Sequence, residues 1–260
     1  MAEESAAKPF YSVLILALVC SALVAGAAVG LRPLQEANRR IDQKKNILRA
    51  AGIYRPDGNV EQQFAPVKVK LIDLASGEFV PEDQLSPAAF DQRKAALSSD
   101  LGTPLAKEKD IAGLSRVERY SLVYLVLGQD RKVDQLILPI RGKGLWSTLS
   151  AYVALDADLT TIRGISFYAH GETPGLGGEI ENPVWQESWQ GKKIYGDDDT
   201  VSLKVVKGKA TGQDAIHEID GLSGATMTGN GVSNLLRFWF GEHGFQPFLQ
   251  RLQQKGGLNG

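Results

Sequence analysis

The stretch SGATMTGNG, at residues 223–231, decides how the C-terminal part of the chain folds, because it stands where a strand gives way to a helix. The preceding run DAIHEIDGL is strand-like, and the following run VSNLLRFWF is helix-like. Hydroxyl side chains and glycines therefore lie at the start of a helix. Such a turn can cap the helix, or it can hold a phosphate, because the first amides of a helix lack internal partners and its dipole favours an anion.

The composition limits the class of protein to which the chain can belong. With 260 residues, 43% of them hydrophobic, it can form one large domain or two small ones. Its net charge is -1 and its charges are mixed, which argues against a nucleic-acid-binding protein. Cys20 is the only cysteine, so this chain alone holds no intramolecular disulfide, thiolate zinc site or iron-sulfur cluster.

An uncharged segment near the N-terminus predicts a membrane anchor. Residues 10–31, FYSVLILALVCSALVAGAAVGL, contain no charged side chain. At about 1.5 Å per helical residue they reach roughly 33 Å, which is enough to cross the hydrocarbon core of a bilayer. A cleaved signal peptide is the main alternative, because Ala25, Gly26 and Ala27 resemble a cleavage site, but the apolar stretch is overlong for one. We predict a short tail over 1–9 and one transmembrane helix over 10–31.

The basic residues around this span indicate an orientation. Only Lys8 and the amino terminus precede the span. The basic residues that follow it are Arg32, Arg39, Arg40, Lys44, Lys45 and Arg49. The positive-inside rule therefore places the rest of the chain in the cytoplasm, although the rule is weaker for long translocated domains.

Beyond the span, the sequence predicts a juxtamembrane helix with a linker over 32–65 and a soluble domain over 66–260. The juxtamembrane helix covers 34–51 and ends at Gly52. Strand patterns occur at 67–74, 120–127, 135–140, 151–155, 162–167, 201–206 and 215–219. Helical patterns occur at 86–97, at 183–190 and in two terminal helices from about Gly229. Consecutive strands lack the intervening helices of a parallel sheet, so the fold class is α+β, with an antiparallel or mixed sheet and flanking helices.

Three glycine-rich stretches follow predicted strands and are candidates for a binding site. They are PIRGKGLWSTLSAY at 139–152, HGETPGLGGEIENP at 170–183 and DGLSGATMT at 220–228. Glycines allow the backbone to approach a ligand closely, exposed amides can meet a polar edge, and Trp146 could cover an aromatic ring. Each stretch alone is also compatible with an ordinary turn. Together they contain more hydroxyl, carboxylate and aromatic side chains than ordinary turns require.

Several known motifs fail to match. GLSGA approaches the nucleophile elbow of serine hydrolases, but Ala225 replaces the second glycine. GNGVSN lacks the third glycine of a dinucleotide-binding fingerprint, and no stretch matches a Walker loop. His170, His217 and His243 lack the spacing of metal ligands, so we predict no metal site. A hydrolase remains a weak alternative, as does a purely structural anchor.

The sequence resembles the FMN-binding domain family. Residues 223–226, SGAT, preceded by Asp220 and Gly221, match its flavinylation motif. LRPLQEANRRIDQKKNIL, GKGLWS, HGETPGLGGEI and SGATMT then follow in the order seen in the C subunits of sodium-translocating NADH:quinone reductases, and this resemblance covers nearly the whole chain. The G subunits of Rnf electron-transport complexes share the ETPGLG and flavinylation motifs and are the alternative, but they resemble the segment before Val67 less well.

The resemblance implies that Thr226 carries FMN as a phosphoester, installed from FAD by a separate flavin transferase that uses magnesium. Asp220 and Ser223 would shape the turn and be recognised by the transferase, and Gly224 and Ala225 would leave room for the phosphate. From sequence alone, Thr228 is a helix cap and also the rival attachment site. The other implied FMN-binding residues are Glu172, Thr173, Gly175, Leu176, Gly177, Leu145, Trp146 and Ser147. Lys207 could offset a flavin or phosphate charge, or be an ordinary exposed lysine.

The resemblance also implies a function. The chain would carry electrons within a membrane complex that transfers them from NADH to ubiquinone and exports sodium, with the other subunits as partners. The chain alone would need no catalytic acid or base. Its flavin domain would lie on the periplasmic side of a bacterial inner membrane, held by a single span. This location conflicts with the count of basic residues, and we follow the resemblance.

Overall fold

The computed structural model describes residues 7–259, and the chain divides into two compact units, of which the second begins at Lys44. Helix α1 (Ala7–Ala50) is the one helix in the described residues that is long and apolar enough to cross a membrane. The sequence predicted its two halves as separate elements, but the helix is continuous and contains Pro33. The residues around Pro33 are mostly good helix formers, so one proline does not end the helix. The proposed limits 1–9, 10–31, 32–65 and 66–260 stay predictions.

The second unit has the predicted α+β fold. Its helices are α2 (Val60–Phe64), α3 (Gln92–Leu97), α4 (Pro183–Glu187), α5 (Thr226–Trp239) and α6 (Gln246–Gln254). Its longer strands are β1 (Val67–Asp73), β5 (Tyr120–Leu127), β6 (Val133–Lys143), β7 (Thr148–Leu155) and β8 (Ile162–Ala169). Its short strands are β2 (Glu78–Val80), β3 (Gly102–Pro104), β4 (Arg116–Glu118), β9 (Lys204–Val205) and β10 (Glu218–Ile219).

The main sheet has six strands in the order β2-β1-β5-β6-β7-β8. Every neighbouring pair is antiparallel, as expected for strands joined without crossover helices. Strands β3 and β4 form a separate antiparallel pair, whereas β9 and β10 pair in parallel. The order brings the ends of β6 and β8 to the two sides of β7, so the segments that follow β6 and β8 lie close together.

Both faces of the main sheet are covered, which explains why its central strands are apolar almost throughout. On β6, Leu136 and Leu138 point into the core that contains α5 and α6, while Ile137 points into a second core. The second core is closed by the last turns of α1, where Ile47 and Leu48 are buried. Burying each of these two side chains contributes about 1.5–3 kcal/mol.

The end of α1 is fixed by backbone geometry. Gly52 has φ +70°, its amide donates to Arg49 O at 2.9 Å, and the amide of Ile53 donates to Leu48 O at 3.0 Å. These bonds form the Schellman motif, and the prediction that Gly52 ends the helix is correct. Gly164 on β8 lies so close to Ala50 O that a Cβ atom would collide with it, which explains a glycine within a strand.

Three secondary-structure predictions are wrong in detail. The helix predicted at 86–97 is a 3-10 turn (Pro87–Ala89) followed by α3, because the Asp91 side chain accepts from the amides of Arg93 and Lys94 and starts a new helix. The strands predicted at 201–206 and 215–219 are only the two-residue strands β9 and β10. Positive φ angles at Gly208 and Gly212 turn the chain between them, and a 3-10 turn replaces most of the second prediction.

Candidate functional site

Three segments of the domain meet around one carboxylate. They are the loop 144–147 between β6 and β7, the loop 170–178 after β8, and the first turn of α5. Glu172 connects them, because its side chain accepts hydrogen bonds from the first segment and from the third. The three glycine-rich stretches of the sequence therefore form one site.

The Glu172 carboxylate has four hydrogen-bond donors. Oε1 accepts from the amide of Trp146 at 3.0 Å and from that of Ser147 at 3.3 Å. Oε2 accepts from the amide of Leu145 at 3.3 Å and from Oγ1 of Thr228 at 2.6 Å. Glu172 is 5% exposed and Thr228 is 1% exposed, so these bonds replace the water that a surface carboxylate would have.

The surroundings of Glu172 favour its ionised form. Burial by itself would raise the pKa of this carboxyl group, but the hydrogen bonds from Thr228 and from the amides of Trp146, Ser147 and Leu145 outweigh it. The pKa is therefore lower than that of an ordinary glutamate. All four donors are dipoles rather than cations, so Glu172 brings a negative charge to the site.

Two glycines leave the space that this carboxylate occupies. A Cβ atom on Gly144 would lie 2.6 Å from Glu172 Oε1. A Cβ atom on Gly177 would lie 2.5 Å from Thr228 Oγ1 and 2.9 Å from Glu172 Oε2. Neither glycine has a positive φ angle, so both are needed for space rather than for backbone conformation.

The start of α5 contradicts the prediction that Thr228 caps a helix. Helix α5 begins at Thr226, and its N-cap is Ala225, which has no side-chain group to accept from the first amides. Thr228 lies within the first turn, where its hydroxyl donates to Glu172 instead. Thr226 is exposed, and Gly224 before it has φ +70°, which favours glycine. The helix therefore presents uncapped amides beside an exposed hydroxyl group.

The turn before α5 is anchored through Asp220 and Gly221. The carbonyl oxygen of Asp220 accepts from Nε1 of Trp185 at 2.8 Å, and its side-chain Oδ1 accepts from the amide of Ala210 at 2.8 Å. The amide of Gly221 donates to Gly208 O at 2.6 Å. Asp220 thus shapes the turn, while Ser223 is exposed at its tip.

Large apolar side chains are exposed around Thr226. Trp146 is 71% exposed and Met227 is 60% exposed, and Leu145 and Leu176 also face solvent. Leu176 lies beside the turn, because a Cβ atom on Gly224 would be 2.9 Å from its Cδ2 atom. A cluster of exposed apolar groups on a soluble domain is typical of a ligand or partner site. Met227 was missed from the sequence, although its place next to Thr226 in the motif could have indicated it.

The loop 170–178 has amides that are open to a ligand. The carbonyl of Thr173 accepts from the amides of Leu176 at 3.1 Å and Gly178 at 2.9 Å, which folds the loop tightly. Within residues 7–259, the amides of Thr173, Gly175 and Gly177 have no acceptor in the hydrogen-bond network. Thr173 and Gly175 are exposed, and Gly175 has φ +75°, whereas Gly177 is buried, so the amides open to a ligand are those of Thr173 and Gly175.

Lys207 lies in the segment that contacts the turn before α5, because the next residue, Gly208, accepts from the amide of Gly221. It is an exposed side chain just after β9, and in the part of the chain that the structure describes it makes no hydrogen bond or ion pair with the residues around Thr226. The described residues also contain no group of three or more His, Cys, Asp or Glu side chains suited to a metal ion. Two surface clefts lie elsewhere, one bordered by Arg55 and Asn59 and the other by Gln135 and Arg163.

In the described residues, the contacts of the three histidines are with residues other than Ser223. His170 Nδ1 accepts from the amide of Glu172 at 3.1 Å, and its Nε2 lies 3.0 Å from Glu181 Oε1. His217 Nδ1 is 2.9 Å from Lys193 O, and His243 lies beside Glu242. No observation favours the hydrolase alternative.

Comparison with known proteins shows the family to which the chain is related. Residues 144–241 match the FMN-binding domain family, and this region contains all three segments of the site. The chain is 46% identical to the C subunit of the Na(+)-translocating NADH-quinone reductase of Yersinia pestis, over 99% of this chain and 97% of that protein. It is 44% identical to the C subunit of the Pseudomonas aeruginosa enzyme, over 97% of this chain and 98% of that protein.

The fold matches solved structures of the same kind of protein. NqrC of Shewanella oneidensis superimposes with a TM-score of 0.78 at 35% identity, over 84% of this chain and 99% of that chain. The C subunit of the Parabacteroides distasonis enzyme gives a TM-score of 0.65 at 30% identity, over 84% of this chain and 96% of that chain. End-to-end similarity in sequence and agreement in fold show that this chain belongs to the family of Na(+)-translocating NADH-quinone reductase C subunits.

Proposed function

We propose that this chain is the electron-carrying C subunit of a sodium-translocating NADH:quinone reductase, with FMN attached through its phosphate to Thr226. The observation that carries the proposal is the position of Thr226. Its exposed hydroxyl group lies at the uncapped start of α5 and beside exposed apolar side chains. The proposed electron-carrying role comes from the family to which the chain belongs.

The start of α5 fits a phosphate. The first-turn amides have no side-chain cap, and the helix dipole adds a partial positive charge at the same place. Ala225 and Gly224 have no large side chain that would crowd an attached phosphate. Thr226 lies in this first turn, so a phosphate on its oxygen would remain within reach of those amides.

The loops beside Thr226 fit a flavin ring. Leu145, Trp146, Leu176 and Met227 offer apolar surface to a flat aromatic ring. The open amides of the loop 170–178 can donate to the polar edge of such a ring. Glu172 holds these loops in place with its side chain rather than presenting that side chain to a ligand. Lys207 remains a candidate for offsetting negative charge at longer range.

Attachment requires a transfer reaction that balances without an oxidant. The Thr226 oxygen forms a bond to the flavin-side phosphorus of FAD, the pyrophosphate bond breaks, AMP leaves, and the hydroxyl proton is released. A separate flavin transferase with magnesium would perform this step and recognise Asp220 and Ser223 in the exposed turn. The exposure of Ser223, Gly224 and Thr226 supports access by such an enzyme.

The bound FMN would supply the acceptance and release of single electrons, and the protein would supply its position and electrostatic surroundings. A covalent bond prevents loss of the cofactor between oxidation and reduction. The donor would be an iron-sulfur centre held by neighbouring membrane subunits, and the acceptor a second covalent FMN on the B subunit. Electrons would thus pass from NADH to ubiquinone while the complex exports sodium.

The N-terminal part of α1 would anchor the chain in the inner membrane as a single span, with the flavin domain in the periplasm. The length and apolar character of α1 support the span. The basic residues after the span argue for the opposite orientation, and contacts with partner subunits would have to override them. Labelling Asp197→Cys, at an exposed position, with a membrane-impermeant thiol reagent in intact spheroplasts tests this orientation. Labelling only after lysis would contradict it.

The attachment site is tested by co-expressing the full chain with a flavin transferase. The wild-type chain should show flavin fluorescence on a denaturing gel, and peptide mass spectrometry should find FMN on Thr226. Thr226→Ala should abolish the signal, whereas Thr228→Ala should retain it, because the Thr228 hydroxyl is buried and bonded to Glu172. Flavin retained in Thr226→Ala and lost in Thr228→Ala would overturn the assignment.

A further inference from the structure

The geometry points to Glu172 as the positioning residue of the flavin site: its carboxylate ties the loop 144–147 and its own loop to the first turn of α5. We name these contacts the Glu172 clamp, meaning the bonds from the amides of residues 145–147 and from the Thr228 hydroxyl. The inference rests on the proposed function, because the clamp positions the two loops that would contact the flavin ring beside Thr226.

The clamp needs a carboxylate because both of its oxygen atoms act as acceptors. Oε1 receives two amides, and Oε2 receives one amide and one hydroxyl group. A glutamine has one acceptor oxygen, and its NH2 group would face an N–H donor. Glu172→Gln therefore keeps the size of the side chain but loses the match to its donors.

The clamp contacts the inward face of the first turn of α5, opposite Thr226. Successive residues of an α-helix are about 100° apart, so side chains two positions apart lie on nearly opposite sides. Glu172 holds Thr228 inward by the 2.6 Å bond, and the same helix then presents Thr226 to solvent. The buried side chains of α5 set this rotation of the helix, and the bond from Thr228 fixes its first turn to the two loops.

The large apolar side chains of these loops do not anchor them in the core. Leu145, Trp146 and Leu176 are exposed rather than packed in the core. Gly144 and Gly177 leave no room for the carboxylate to shift toward either side without meeting backbone. The two loops are also joined by the amide of Gly171, which donates to Oγ of Ser147 at 2.5 Å. The clamp differs from that bond because it also reaches the first turn of α5, so it fixes both loops relative to Thr226.

Two measurements on the full chain in detergent test the clamp. The first is hydrogen exchange of the amides of residues 145–147 in the Thr226→Ala background, which carries no flavin under the proposed function. Glu172→Gln and Thr228→Val should each speed this exchange at least tenfold, because the amides lose a fixed acceptor. Thr228→Ser keeps the hydroxyl group and should restore slow exchange. Glu187→Gln makes the same chemical change at an exposed position and should have no effect.

The second measurement is the fluorescence anisotropy of covalent flavin in the chain that retains Thr226. Glu172→Gln and Thr228→Val should lower the anisotropy at least twofold while FMN stays on Thr226, and Thr228→Ser should match wild type. Unchanged exchange and unchanged anisotropy in both variants would overturn the clamp. A wild-type chain without FMN on Thr226 would instead overturn the proposed function, and the exchange experiment would still decide the clamp.

Discussion

Two buried carboxylates in this domain are satisfied in different ways. Glu118, 1% exposed, pairs with the guanidinium of Arg141, whose Nη1 donates at 2.7 Å and whose Nη2 donates to the second oxygen. Gln92 donates to the same carboxylate. Glu172 has no such cation and is held by amides and a hydroxyl group alone.

The different donors of the two carboxylates indicate different roles, with Glu118 joining parts of the fold and Glu172 joining the segments of the candidate site. The Glu118 pair fixes the segment with α3 and β4 onto the main sheet, and Arg141 is further held by Trp239, whose Nε1 donates to Arg141 O at 2.6 Å. Its charges cancel within the fold. The charge of Glu172 is not cancelled by a neighbouring cation among its donors, and it lies where the three segments of the candidate site meet. A buried charge solvated only by loop dipoles makes the geometry of those loops depend on it.

The largest expected effect comes from breaking the Glu118 pair. Arg141→Met leaves a buried carboxylate without its cation, which should lower the free energy of unfolding by about 3–5 kcal/mol. Urea unfolding of the full chain in detergent, followed by tryptophan fluorescence, measures this loss. The double variant Glu118→Leu with Arg141→Met should recover most of it, because replacing both partners by apolar groups is often close to neutral. A loss below about 1 kcal/mol in the single variant would show that the pair is solvated.

A smaller effect is expected from crowding the Glu172 clamp. Gly177→Ala places a methyl group 2.5 Å from Thr228 Oγ1, so the clamp must shift, at an expected cost of about 1–3 kcal/mol in the free energy of unfolding. Gly128→Ala is the matched control, because its Cβ would make only an ordinary 3.4 Å contact with Asp130 Oδ1. The same urea titration compares the two. Equal changes in unfolding free energy for the two variants would mean that the loop 170–178 moves to accommodate the added methyl group at no cost.

Much of the fold could be predicted from the sequence because the core strands carry strong local patterns. The runs at 120–127 and 162–167 match β5 and β8 closely. The prediction failed where local signals were weak or contradicted by capping, as at Asp91, whose side chain starts α3 after a separate turn. The three glycine-rich stretches of the candidate site stand out in the sequence because each follows a strand pattern, before any family resemblance is considered.

The arrangement within the site could not be predicted. The sequence suggests that Thr228 caps a helix, since hydroxyl side chains are common caps. Thr228 is not the cap because α5 begins at Thr226, which places Thr228 within the first turn, and its hydroxyl group donates to Glu172, distant in sequence. In the same way, Gly144 and Gly177 read as turn or ligand glycines, and only the structure shows that they leave space for a carboxylate. Long-range polar contacts leave no periodic signal.

The smallest effect that we expect is in the pH dependence of stability. Burial would raise the pKa of Glu172, but its hydrogen bonds outweigh burial and hold the folded-state pKa below the usual range. The unfolded-state pKa is about 4.3. The stabilisation that Glu172 gives is therefore complete above that pH, and it is lost as the pH falls through the lower folded-state pKa.

Glu172→Gln does not titrate at this position, so its comparison with wild type isolates the contribution of the carboxylate. The difference in unfolding free energy should be largest near pH 7 and should shrink as the pH is lowered to about 3. Urea titrations at several pH values measure it. A difference that stays constant down to about pH 3 would mean that Glu172 stabilises the loops by packing rather than by its charge, and would remove the contrast with the Glu118 pair.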